Sequence, residues 1–89
     1  MIKALSWALR QHPDKVTSHE KLVLIGLADM CDDDLNVKVL KYKLARFAGL
    51  DILEITEILQ QLTDKGFIKG LEEDTDAADT SIAYRLIAS

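Results

Sequence analysis

The side chains best suited to chemistry are four cations. Lys38, Lys41, Lys43 and Arg46 lie close together, with no acid between Leu35 and Leu50. Lysine and arginine at this density suit contact with phosphate oxygens, where neutralisation releases condensed counterions. The same pattern also describes a solvated helix surface. The sign then reverses. Asp51, Glu54 and Glu57 follow, with no Lys or Arg before Lys65. Further on, Glu72, Glu73, Asp74, Asp76 and Asp79 form a second acidic group. Acids repel phosphate and steer toward a basic partner instead.

The rest of the reactive inventory is thin. His12, His19 and Cys31 are too few and badly spaced for a zinc site. Cys31 fits a helix, which predicts a buried core thiol. Asp74, Asp76 and Asp79 lack the glycine and the closing glutamate of a calcium loop. There is no phosphate-binding glycine loop, and no nucleophile, base and orienter trio is visible. The expectation is a chain that is not an enzyme and uses no metal or cofactor. One cysteine excludes an intrachain disulfide and fits a reducing cytoplasm. The opening MIKALSWALRQHPDK is a poor signal peptide, and no apolar run approaches the roughly 20 residues of a membrane span. Net charge is −4, an argument against a dedicated nucleic-acid binder. Eighty-nine residues predict a single domain, 1–89.

Elements follow from periodicity and caps. Ile2, Leu5, Ala8 and Leu9 recur at helical spacing, predicting an N-terminal helical extension over 1–11. Trp7 lies off that stripe, where a neighbour or a second copy could cover it. Pro13 ends the segment. Thr17-Ser18-His19-Glu20 is a capping-box pattern opening a core helix near 18–31, apolar almost all round. A turn at DDDLN and a short strand at Leu35–Val37 come next. Leu40, Leu44, Phe47 and Ala48 mark a second core helix over 38–48, and Gly49 closes it. Asp51 caps a third helix, Glu54 completing a box-like pair, with Ile55, Ile58, Leu59 and Leu62 facing inward. On that geometry Leu53, Glu57, Gln60 and Asp64 face out. Gly66 stops this helix. FIKGL and SIAYRLI alternate as two strands, which predicts a hairpin over 67–87.

The span 44–62, with Ala45, Gly49 and Ile55 at helix-turn-helix spacing, allows a close helix crossing, a turn and a filled angle between two helices. Together with LTDKGFIKG, Ser6-Trp7-Ala8-Leu9, Glu20-Lys21-Leu22-Val23-Leu24 and Leu27-Ala28-Asp29, it resembles a bacterial and phage winged helix-turn-helix family. That family includes replication-initiation proteins and small regulators. The resemblance covers nearly the whole chain. It implies a mainly α fold with a small β-hairpin: a three-helix core plus a wing.

The resemblance implies double-stranded DNA as partner. Lys38, Lys41, Lys43 and Arg46 would then touch phosphates, and Thr56 and Gln60 would lie nearest the bases. The chain departs from the family's pattern where Asp51-Ile52-Leu53-Glu54 replaces its usual Ser, Arg and Thr. The alternative expectation is a protein-interaction module, such as a phage or mobile-element inhibitor or adaptor, acting on a basic host protein. It would use Leu53, Glu57 and Gln60 with Glu72, Glu73, Asp74 and Asp76.

Overall fold

Thr17 starts the central helix by satisfying two backbone groups at once. Its hydroxyl accepts from the Glu20 N–H at 3.1 Å, and the Glu20 carboxylate accepts from the Thr17 N–H at 2.7 Å. A computed structural model describes residues 2–11, 14–71 and 81–87. Its elements are α1 (Ile2–Leu9), α2 (Ser18–Met30), β1 (Asn36–Leu40), α3 (Lys41–Ala48), α4 (Ile52–Asp64), β2 (Ile68–Gly70) and β3 (Ser81–Leu86). The described chain is therefore mainly helical, with one small antiparallel sheet.

Val23, Leu24, Leu27 and Ala28 of α2 are buried, and this helix packs against α1, α3, α4 and β1. The N-terminal helix is part of the core. Ala4 and Ala8 are sealed, and α1 packs on α2. Two small residues at i and i+4 form the close face. That choice of face leaves Leu9 52% exposed, so the expected Leu9 anchor is corrected. Trp7 finds its neighbour within the chain, its ring 6.3 Å from that of Phe67.

The boundary before α3 differs from the sequence expectation. Asp32 Oδ1 accepts from the N–H groups of Asp34 and Asn36 at 2.9 and 3.0 Å, and Leu35 takes a left-handed φ of 67°. Residue pairing with β3 starts at Asn36, although the Leu86 N–H still donates to Leu35 O at 2.9 Å. The strand runs from Asn36 to Leu40, and the helix begins at Lys41 rather than at residue 38. Pairing with β3, far along the chain, overrides the local helical pattern. Lys38 is consequently a strand residue.

Leu44, Ala45 and Ala48 are the buried residues of α3. Phe47, expected inside, is 43% exposed, and its ring lies over Gly26 at the edge of α2. Gly49 closes α3 with φ 71°, and the N–H groups of Gly49 and Leu50 both donate to Ala45 O. Asp51 Oδ1 then accepts from the Glu54 N–H at 2.8 Å. Glu54 does not return the bond, so among the described residues only α2 carries the full capping box. Ile55, Ile58, Leu59 and Leu62 face the core as their spacing predicts. Gly66, at φ 83°, turns the chain back, and the Phe67 N–H donates to Leu62 O at 3.0 Å.

The sheet order is β1-β3-β2. β2 and β3 pair antiparallel from Ile68↔Leu86 to Gly70↔Tyr84, and β1 joins on the other side of β3. Val37, Ile68, Ile82 and Leu86 cover the core from its inner face. Glu72, Glu73, Asp74, Asp76 and Asp79 lie outside the described residues.

Candidate interaction surfaces

The outer side of α4 is acidic and apolar. A helix with Ile55, Ile58, Leu59 and Leu62 buried must present Leu53, Glu57, Gln60 and Asp64 on the opposite side, and all four are exposed. Leu53 reaches 70% exposure, and Ile52 beside it 46%. Gln60, the residue on this face suited to reading bases, gives its amide to Asp64 Oδ1 at 2.9 Å. The helix itself, Ile52–Asp64, contains no Lys or Arg.

The cations expected to act together are divided between two elements. Lys41 opens α3 and sends its ammonium to Thr56 Oγ1 at 3.3 Å, while Thr56 donates to Ile52 O at 2.9 Å. The structure thus joins Lys41 and Thr56 across the α3–α4 seam. Lys43 and Arg46 are exposed and three residues apart, on the side of α3 away from its buried stripe. Lys38 sits on β1, directly opposite Ala83 of β3.

The ion pair between Glu20 and Lys65 is invisible to sequence reasoning. Lys65 Nζ lies 2.6 Å from Glu20 Oε1 and also donates to the Lys15 carbonyl at 3.0 Å. The Glu20 side chain is only 2% exposed. Burial alone would raise its pKa. The Lys65 ammonium and the Thr17 N–H outweigh that effect and hold the carboxyl below its ordinary value. The capping pattern signalled Glu20's local role; nothing local signals a partner 45 residues away.

The sheet carries a second unforeseen feature. Its outer face places Asn36, Arg85 and Lys69 in one row across the three strands, through the pairs Asn36↔Arg85 and Lys69↔Arg85. Lys38 lies on the same face, two residues along β1. Lys38, Lys69 and Arg85 are exposed, and no carboxylate shares the face among the described residues. The alternation in FIKGL and SIAYRLI predicted two strands of a hairpin and assigned no role to Lys69 or Arg85. Only the register makes them neighbours.

Other groups offer little chemistry. Cys31 was expected in the core but is half-buried at the end of α2, its thiol donating to Ala28 O at 3.2 Å. Burial pushes its pKa up, which disfavours the reactive thiolate. His19 is exposed, and His12 lies outside the described residues. No group of three or more His, Cys, Asp or Glu side chains among the described residues could hold a metal ion. No described helix is long and apolar enough to cross a membrane. An open groove of about 690 Å³ runs beside Trp7, Phe67 and Ile87, with Lys15 and Lys65 at its rim. Comparison with family models, with curated proteins and with solved structures finds no match for the chain.

Proposed function

We propose that the chain is a winged helix-turn-helix domain that binds double-stranded DNA, as part of a phage- or bacterial-type transcriptional regulator or replication-associated protein. Three helices packed on one another, the Gly49 turn between α3 and α4, and a following β2–β3 hairpin support this reading. The observation that carries it is the α3–α4 seam. Lys41 is held on Thr56, and Lys43 and Arg46 stand exposed on the same helix, free of neighbouring acids in sequence. Cations positioned this way contact phosphates and fix register without reading sequence.

Titration of the protein with mixed-sequence duplex DNA at two salt concentrations tests the proposal. Binding should weaken with salt, and Lys41→Glu and the pair Lys43→Glu, Arg46→Glu should weaken it further. Binding that ignores both salt and these substitutions rules the surface out.

A specific observation favours a second reading, a protein-interaction module acting on a basic partner. The outer side of α4 has an apolar centre at Leu53, acids at Glu57 and Asp64, and no Lys or Arg of its own; Lys41 lies at its Ile52–Thr56 edge. Apolar centres with polar rims are common at protein interfaces. On this reading the wild type shows no DNA binding even at low salt. Leu53→Arg abolishes a capture that the wild type supports, and equal capture by both removes the patch.

A further inference from the structure

The chain carries two exposed faces of opposite sign on different elements. The outer side of α4 presents Leu53 and Glu57 with Gln60 and Asp64; the outer side of the sheet presents Lys38, Lys69 and Arg85 around Ala83. Lys69 and Arg85 are directly opposite one another, and like charges so placed destabilise a sheet. A carboxylate set between them relieves that repulsion.

The spacings of the two faces agree. Leu53 and Glu57 are one turn apart, about 6 Å along the helix axis. Ala83 and Arg85 are two residues apart on one side of β3, about 7 Å along the strand. A helix lying along β3 therefore sets an apolar side chain on the small Ala83 while its acid reaches Arg85, with Lys69 alongside.

We propose that the outer side of α4 docks on the outer face of the sheet of a second copy of this chain, Leu53 against Ala83 and Glu57 between Arg85 and Lys69. The inference rests on the second reading above, α4 as a protein-docking surface, and names its occupant. Charge complementarity argues for this partner: the basic face that α4 requires is present on the molecule itself. Because the two patches differ, the contact is head-to-tail, and a pair of copies keeps one free face of each kind, one on each copy. Association therefore continues past the dimer unless the rotation closes a ring.

Sedimentation velocity of the full chain tests this. At about 0.01 M salt, where charges act over about 30 Å, the average mass should rise with protein concentration above that of one chain. At about 1 M salt, where the range is about 3 Å, it should return to one chain. Glu57→Lys alone and the pair Lys69→Glu, Arg85→Glu alone should each remain single chains at low salt. Mixed in equal amounts they should associate again, because each supplies the sign the other lost. The neutral versions, Glu57→Gln and Lys69→Gln with Arg85→Gln, should weaken association without restoring it on mixing. Far-UV circular dichroism confirms that each variant is folded.

A wild type of one-chain mass at low salt overturns the proposal and leaves α4 docking to the Leu53→Arg capture test. Association that survives Lys69→Glu with Arg85→Glu removes the sheet as the partner surface. Association lost in that pair but retained in both Glu57→Lys and Leu53→Arg removes α4 as the self-docking surface and overturns the proposal, while the reading of α4 as a site for another basic protein stays with the Leu53→Arg capture test.

Discussion

At the scale of single residues, the Glu20–Lys65 pair couples local capping to tertiary structure. One carboxylate closes the first turn of α2 and receives an ammonium from the end of α4. Removing one partner of a buried pair costs about 3–5 kcal/mol, because the other charge is stranded. Lys65 is 40% exposed, so solvent screening reduces this, and Lys65→Met should lower stability by about 2 kcal/mol. The pH dependence has a fixed sign. A carboxyl held below its unfolded value binds its proton less readily when folded. Its contribution is complete above the ordinary carboxylate range and is lost as pH falls through the lowered value. Denaturation midpoints of wild type and Lys65→Met should converge as the solution is acidified; a constant gap would sink the assignment.

At the scale of elements, legibility followed the range of the interaction. Thr17, Asp51, Gly49 and Gly66 each act within a few residues, and the sequence located all four. The inward stripe of α4 was equally plain, since one helix supplies it. Lys38 was misplaced because β1 exists only through pairing with residues 81–86. Leu9 and Phe47 were misplaced because a helix stripe does not say which neighbour will cover it. The α2–α3 contact offers an element-scale test at Gly26. A Cβ there would lie 2.8 Å from Phe47 Cδ2 and 3.0 Å from Leu44 Cδ1. Alanine gains about 1 kcal/mol in helix propensity. Overpacking costs about 1–3 kcal/mol, and Leu44 is sealed and cannot retreat. Gly26→Ala should therefore lower the Tm despite its better propensity. Adding Phe47→Ala clears the ring, and the two changes should destabilise by less than their sum. Strict additivity in thermal melts would show that α3 does not press on Gly26.

At the scale of the whole molecule, charge is partitioned rather than absent. A net charge of −4 conceals a basic sheet face, exposed cations on α3 and an acidic side on α4. On the proposed DNA-binding reading, Lys41, Lys43 and Arg46 would meet few phosphates, so the logarithm of the binding constant should fall against log salt with a slope of about −2 to −3. Lys43→Gln should reduce that slope by about 1. A slope near zero would exclude phosphate neutralisation as the source of affinity. The strand order adds a temporal consequence. β3 occupies the middle of the sheet yet is the last of its three described strands in chain order to be synthesised. Translation proceeds at about 5–20 residues per second, so a nascent chain spends seconds with β1 made and its ladder partner still inside the ribosome. The helices can gather meanwhile. The platform that unites Lys38, Lys69 and Arg85 comes into being only once Arg85 has emerged.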